Sequence, residues 1–529
     1  MIKRRELLLA ASAGPWLSGC GHDPAPTLEG GWVGASAARG HRLRAPLPSG
    51  PAPGPLRRTE VLIVGGGIAG LACARALQRA GLSDFALLEL EDESGGNSRG
   101  HQMGGMPCPL GAHYLPLPGP QAHEVSELLH DLGLARQELG RTVFDERHLC
   151  HSPQERLFYQ GQWHEGLLPP AEDARCREQY RRFGARVAEI SRLGFALPSR
   201  RAPWTAAHAR LDAQRFADWL DAEGLDAAPL RWYLDYCCRD EYGADTRVVS
   251  AWAGLHYFAS RHGFHAPGES EPGGERGGQV LTWPEGNAWL ARRLAEDLGG
   301  RLQAGRTVLR VSPRRHEVEL LAWNEAADAP ERWVARQLVL ATPLFVAQRL
   351  LDASAPALRA AVAQLQYAPW LVANLQLDAP LLPRLGAPAA WDSVVYGSET
   401  LGYVDAGHQR LDPTPGPTVL SAYRALPRAQ RGALLGEPWA HWAERIVTDL
   451  QATHPDLPAR LRRIDLARWG HAMSIPVPGL RGSAALAALH RPQGRLHFAH
   501  GDLAGYSVFE EAYTRGVAAA AQIVSISRS

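Results

Sequence analysis

Three glycines and one acid carry the clearest chemistry in the chain. Gly65-Gly66-Gly67-Ile68-Ala69-Gly70 reads G-x-G-x-x-G. It follows a β-branched run, Glu60-Val61-Leu62-Ile63-Val64, and leads into an apolar helix, Leu71 to Leu77. Gly65 permits a tight turn, Gly67 lets a pyrophosphate approach the backbone, and Gly70 lets the helix pack close to the strand. The helix start, with Ile68 and Ala69 in its first turn, turns its positive end toward the phosphates. A second apolar strand, Phe85-Ala86-Leu87-Leu88, closes on Glu89-Leu90, and Glu89 is placed to accept hydrogen bonds from ribose hydroxyls. Strand, glycines, helix, strand and terminal acid in this order specify a dinucleotide site. They leave open whether the dinucleotide carries nicotinamide or flavin.

The continuation narrows that choice. Glu89-Leu90-Glu91-Asp92-Glu93-Ser94-Gly95-Gly96-Asn97-Ser98-Arg99 resembles the E-x5-G-G-R stretch of the flavin amine oxidase and phytoene desaturase superfamily. There, the resemblance implies, Gly95 and Gly96 bring backbone to the pyrophosphate. Asn97 holds the usual arginine place, and Arg99, two residues later, is the candidate for the charge. Leu110-Gly111-Ala112-His113-Tyr114 is similar to the D-x-G-A-H-x segment beneath the flavin, with Pro109 where an acid is common. Trp283-Pro284-Glu285-Gly286-Asn287, a helix over Ala288 to Leu298 and a strand over Gly305 to Val311 resemble P-x-G-G, helix, V-x-x-I, in which the Val308 backbone meets adenine. Gln337 to Pro343 resembles the V-x-A-x-P strand end, through Ala341 and Pro343. Trp469-Gly470-His471 and Pro476-Val477-Pro478-Gly479 resemble the segment before the flavin. Leu496 to Asp502 resembles F-A-G-[DE], which puts Gly501 and Asp502 at the ribityl or pyrophosphate. Glu510-Glu511-Ala512-Tyr513-Thr514-Arg515-Gly516 resembles E-G-A-x-x-S-G, which sets Phe509 and Ala512 by the flavin pyrimidine, where N–H groups stabilise charge on the reduced ring.

The resemblance spans residues 59–525. It implies an α/β protein with a Rossmann-like FAD-binding domain of the two-dinucleotide-binding type and an interleaved α+β substrate domain. The FAD-binding pieces are 59–115, 271–345 and 466–525. The substrate pieces are 116–270, which reads helical (Glu124 to Leu132, Ala171 to Leu193, Ala213 to Leu220), and 346–465, with strands Trp370 to Leu377 and Thr418 to Tyr423 and a helix Trp439 to Thr453. The resemblance also implies that FAD is held non-covalently and that its N5 takes a hydride from a substrate C–H, so that no obligatory catalytic base is expected. Many amine oxidases of the superfamily place a lysine, through water, at N5. Here Lys3 is the only lysine. Counting from Ala341 reaches Gln348-Arg349, and an arginine stays protonated and fans its donors differently. Arg349, His471 and Trp469 are the candidates for a role near the reacting atoms. Val508 stands where an aromatic-cage tyrosine is expected, with Tyr506, Phe509 and Trp469 nearby. An amine-type substrate, cationic in charge, leads the reading. A carbon–carbon desaturase or protoporphyrinogen-oxidase-like reaction is the alternative, and a non-catalytic flavoprotein a third. Without the lysine, reaction with oxygen is expected to be slow.

Asp235, Asp240, Glu241 and Asp245 cluster near Tyr236 and Tyr242. They could bind a polyamine, but a solvated helix end capped near Gly243, with Arg239 pairing Asp235 at i,i+4, is the simpler reading. Vicinal Cys237 and Cys238 read as packed thiols rather than a strained disulfide. No cysteine pair has metal-ligand spacing, so no metal is expected. A net charge of +1 gives no general pull toward nucleic acid. The chain opens with Lys3-Arg4-Arg5, an apolar stretch from Leu7 to Leu17, and Leu17-Ser18-Gly19-Cys20. Residues 1–20 resemble a twin-arginine signal ending in a lipobox. This implies passage through the twin-arginine export machinery, lipidation at Cys20 and a periplasmic, membrane-anchored enzyme. Residues 21–58, rich in Pro, Gly and Ala, read as a tether.

Overall fold

The computed structural model describes residues 28–44, 56–261, 263–266, 278–351, 355–411 and 414–527. Cys20 and the whole 1–20 segment lie outside them. Two sheets organise the chain. A seven-stranded sheet runs Leu302–Gln303, Phe85–Leu88, Leu56–Val64, Ala329–Leu340, Val318–Asn324, Arg306–Pro313, with Leu496–Phe498 also paired to Ala329–Leu340. Its nucleotide-binding part is parallel: Val61–Val64 lies between Phe85–Leu88 and Gln337–Leu340. Val61, Leu62 and Ile63 are fully buried, as expected for a parallel strand covered on both faces. The helices Ile68–Arg79 and Phe509–Ser527 pack against each other on one face of this sheet, through Leu71, Ala72, Ala519 and Ile523.

The second sheet has eight strands, in the order Glu29–Val33, Leu461–Ser474, Tyr367–Leu377, Thr418–Ala425, Tyr403–Asp405, Asp392–Val395, Glu155–Tyr159, Gln162–Glu165. Helices Ala174–Ser191, Ala228–Tyr242 and Ala251–Ala259 join it in one apolar cluster around Phe183, Tyr180, Trp252 and Tyr242.

Two expectations change here. The stretch 116–270 is not purely helical, because Glu155–Tyr159 and Gln162–Glu165 form the far edge of the second sheet. Glu155–Tyr159 pairs across the chain with Asp392–Val395, a partner local periodicity does not reveal, and Gln162–Glu165 folds back onto it. Nor are residues 28–44 a tether. Glu29–Val33 pairs in parallel with Arg463–Ala467, and a short helix, Ala37–His41, follows. Composition poor in core residues says nothing about main-chain pairing, which is what docks this strand.

Among the described residues no helix is long and apolar enough to cross a membrane, and no group of His, Cys, Asp or Glu could hold a metal. Cys237 and Cys238 are buried, free thiols.

Candidate functional site

A cavity of about 570 Å³ runs from the glycine turn to the second sheet. Gly65, Gly67, Ile68, Ala69, Glu89, Leu90, Gly95, Gly96, Asn97 and Arg99 line its nucleotide part, and Val308, Ala341 and Pro343 join them. Gly111, Ala112, His113, Gly501, Asp502, Phe509 and Ala512 line it further along, as do Trp469 and His471. Gly70 does not reach the cavity. Its role is packing, because a Cβ there would stand 1.9 Å from the Gly65 carbonyl oxygen. Gly65 (φ +104°) and Gly95 (φ +130°) occupy backbone conformations that favour glycine. Gly67 and Gly95 bridge as neighbouring strands, and a Cβ on Gly96 would lie 3.2 Å from the Gly67 Cα. The result is a cradle of backbone alone.

Glu89 is 8% exposed. Its Oε2 accepts the Gly66 N–H at 2.6 Å and its Oε1 the Glu91 N–H at 2.9 Å. Burial raises its pKa, against the pull of those two N–H groups and of Arg99. A carboxylate has about four acceptor positions, so lone pairs remain for ribose hydroxyls. Glu89→Ala should weaken FAD binding about 10- to 100-fold, from the loss of charge-assisted hydrogen bonds worth roughly 1.5–3 kcal/mol. Titrating apoprotein with FAD and following flavin fluorescence checks this; wild-type affinity would contradict it.

Arg99 does not stand free as a phosphate clamp. Its Nη1 lies 3.6 Å from Glu91, its Nε donates to the Gly96 carbonyl at 3.3 Å, and its guanidinium sits 5.5 Å from the Trp469 ring centroid. Asn97 braces main chain, its Nδ2 donating to the Ala472 carbonyl at 2.6 Å. Asp502 is fully buried. Its Oδ2 accepts from the Tyr367 hydroxyl at 2.6 Å and the Leu344 N–H at 2.8 Å. Burial works to raise its pKa, but His500, the Tyr367 hydroxyl and the Leu344 N–H hold it below the usual carboxylate value. His500 Nδ1 lies 3.2 Å from both the Asp502 backbone nitrogen and Asp502 Oδ1. Asp502 Oδ1, Thr342 Oγ1 and Asn287 Oδ1 are buried without a hydrogen-bond partner, and all three residues line the cavity. A backbone cradle at one end and unpartnered acceptors along the wall fit a polyhydroxylated dinucleotide such as FAD.

The three candidates near the reacting atoms separate. Arg349 is not at the site. It sits on the exposed face of the helix Leu344–Leu350, and its Nε donates to the Leu43 carbonyl at 2.9 Å. Trp469 gives its ring N–H to the Leu110 carbonyl at 2.7 Å, so only its ring contributes to the wall. His471 packs on Phe345, with ring centroids 4.6 Å apart, and burial lowers its pKa to about 4, so it is neutral. His113 is also neutral, its pKa lowered to about 3 by burial, and stacks on Tyr423 at 4.3 Å. Tyr423 in turn donates to the Gly111 carbonyl at 3.1 Å. Tyr506 points away from the cavity and donates to Glu511 at 2.8 Å.

The acidic cluster is the larger correction. The helix Ala228–Tyr242 does end at Gly243 in a left-handed cap. Yet its last turn faces the cavity, which Asp240, Glu241 and Arg261 line. Glu241 pairs with Arg261 at 2.8 Å, both nearly buried, and Tyr114 donates to Asp240 Oδ2 at 3.3 Å. Asp240 has its pKa pushed up to about 7, first by burial and then by Glu241. Asp235 turns elsewhere, capping Thr246 through its N–H and hydroxyl, and Arg239 donates to the Glu399 carbonyl. Tyr367, Trp370 and Tyr423 also line the cavity unforeseen. Their strands were readable, but which face meets the cofactor depends on partners distant in sequence.

The site is thus a glycine-cradled nucleotide cavity, fit for FAD, that widens into an aromatic, acid-bearing chamber. The chain belongs to the flavin-containing amine oxidoreductase family, whose model matches residues 68–524. A putative flavin-containing monoamine oxidase of Mycobacterium tuberculosis is 26% identical over 280 residues, 52% of this chain and 56% of that one. A flavin-containing amine oxidase of Oncorhynchus mykiss is 23% identical over 309 residues, 54% of this chain and 50% of that one. The matches thus span about half the length of these curated relatives. Among solved structures, putrescine oxidase bound to putrescine superposes with a TM-score of 0.69 at 19% identity, over 89% of this chain and all of that one. Cyclohexylamine oxidase from Brevibacterium oxydans gives 0.65 at 19%, over 89% and 100%. A fatty acid isomerase from P. acnes gives 0.59 at 15%, over 87% and 97%. At these identities the likeness is one of fold.

Proposed function

We propose that the enzyme binds an amine as its cation and, once the reacting nitrogen has lost a proton to solvent, removes a hydride from the carbon next to it. The observation that carries this is Asp240, a carboxyl set in the cavity wall among Tyr114, Glu241 and Arg261. Asp240, Glu241 and Glu510 outnumber the one cation, Arg261, in this part of the wall. A bound flavin supplies the hydride acceptor. The chain's part is to hold the substrate. Asp240, once ionised, orients the ammonium group by a charge-assisted hydrogen bond. The rings of His113, Tyr423, Trp370 and Trp469 pack on its carbon skeleton and exclude water.

An anaerobic screen of amines, scored by bleaching of the flavin band, tests the reading. Bleaching by diamines or arylalkylamines supports it. Bleaching by a lipophilic alkene or porphyrinogen alone would establish the carbon–carbon alternative, to which the lack of any lysine beyond Lys3 lends weight.

We also propose that the enzyme is exported by the twin-arginine route and anchored through Cys20, which the order Arg4-Arg5, apolar stretch, Leu17-Ser18-Gly19-Cys20 supports. Cys20→Ser should move the enzyme from the membrane to the soluble periplasmic fraction; an unchanged membrane fraction would contradict the anchor.

A further inference from the structure

We propose that residues 28–44 are a retaining strap over the nucleotide end of the FAD cavity, so that the cofactor leaves only when this segment undocks. The segment lies outside the 68–524 region shared with the family. It starts on the second sheet, where Glu29–Val33 pairs with Arg463–Ala467. The fit there is tight: a Cβ on Gly30 would stand 1.8 Å from the Ile464 carbonyl oxygen, and Arg468 lies over the Trp32 ring at 4.5 Å. The chain then crosses to the first sheet, and Ala35, Ser36, Gly40 and Leu43 form part of the cavity wall.

Its holdfasts are the segment that follows Glu89, the end of the strand Val318–Asn324 that pairs with the one carrying Val308, and the helix Leu344–Leu350. The Ser36 N–H donates to Glu91 at 2.8 Å. Arg39 donates to the Leu90 carbonyl at 3.1 Å and pairs with Asp92 at 2.9 Å. Arg42 pairs with Glu325 at 3.0 Å and stacks on Trp323 at 4.8 Å. The Leu43 carbonyl accepts from Arg349, which gives that arginine a function. The strap therefore ties the two sheets together where the ribose and adenine would sit. Each contact is a modest one at a partly exposed site, so the strap opens as a unit well below global unfolding. Release of FAD is then limited by that opening.

The test uses the full chain carrying Gly30→Val, Arg39→Ala and Arg42→Ala together, and a second chain with the two arginine changes alone. None of these residues lines the cavity. FAD release after dilution is followed by recovery of free-flavin fluorescence, and strap docking by hydrogen exchange of the 30–33 amides. In the triple variant the amides should lose protection and FAD should leave at least tenfold faster, with a smaller rise in the double variant. Both variants should still take up one FAD at saturation, which distinguishes an open strap from a damaged site. Unprotected strap amides with wild-type FAD release would overturn the proposal, as would full protection in the triple variant.

Discussion

A chain carrying Gly516→Ala should purify largely without its yellow cofactor and melt well below the wild type. Gly516 lies in the last helix, Phe509–Ser527, where it crosses the helix Ile68–Arg79. A Cβ on it would stand 2.1 Å from the Ala69 carbonyl oxygen, 2.8 Å from the Ala72 Cβ and 2.9 Å from the Cys73 nitrogen. Two of those three atoms are backbone, so no rotamer relieves the clash and the helices must part. Alanine gains about 1 kcal/mol over glycine in a helix interior. Overpacking a close backbone contact costs roughly 1–3 kcal/mol or more, and the clash wins. The damage also falls where function is most exposed, because Ile68 and Ala69 open the helix whose N-terminus faces the cavity. Gly432→Ala is the control, since nothing lies within 4 Å of a Cβ there. It should keep flavin and stability. Flavin content and thermal denaturation decide the matter, and a yellow Gly516→Ala chain with wild-type melting would refute the argument.

The nucleotide end was the most legible part of the molecule because its chemistry is local. Gly65, Gly67 and Glu89 act within one strand–helix–strand unit, where Gly65 holds a positive φ that favours glycine and Glu89 is a buried acid. Asp502 was legible as an acid at a strand end, but its bonds to Tyr367 and Leu344 were not, since those partners lie over a hundred residues away. Arg349 failed for a related reason. Counting from a strand end fixes a distance along the chain but not the face of the next helix, and that face turned outward. Residues 28–44 were misread because composition measures core-forming capacity and is blind to main-chain pairing. The acidic helix end was misread because i,i+4 logic treats a helix alone. Tyr114 and Arg261, supplied by other segments, turn its last turn into a wall of the cavity.

That wall sets the second large effect. Asp240→Asn should lower kcat/KM for a cationic amine about 10- to 100-fold while leaving flavin content unchanged. A hydrogen bond between charged partners contributes roughly 1.5–3 kcal/mol, and each 1.36 kcal/mol is tenfold in rate. The pH dependence gives a sharper signature. With its pKa raised to about 7, Asp240 is largely neutral at pH 6 and largely ionised at pH 8. The rate with an amine that stays cationic over this range should therefore rise through pH 7 in the wild type, and this limb should vanish in the variant. Stability runs the other way. A carboxyl whose folded pKa lies above its unfolded value favours folding at low pH and loses that contribution as pH rises from about 4 through 7. Asparagine is neutral throughout, so the variant should gain on the wild type over the same window. Glu241 and Glu155 also raise the Asp240 pKa, so the limb belongs to the group and need not fit a single ideal ionisation. A variant with undiminished kcat/KM and the same rise through pH 7 would remove Asp240 from substrate binding. Lower kcat/KM with the limb intact would make it a structural residue only. The predicted pair, a rate that climbs and a stability that declines across one pH interval, both abolished by one neutral substitution, is what a buried carboxyl waiting for a cation produces.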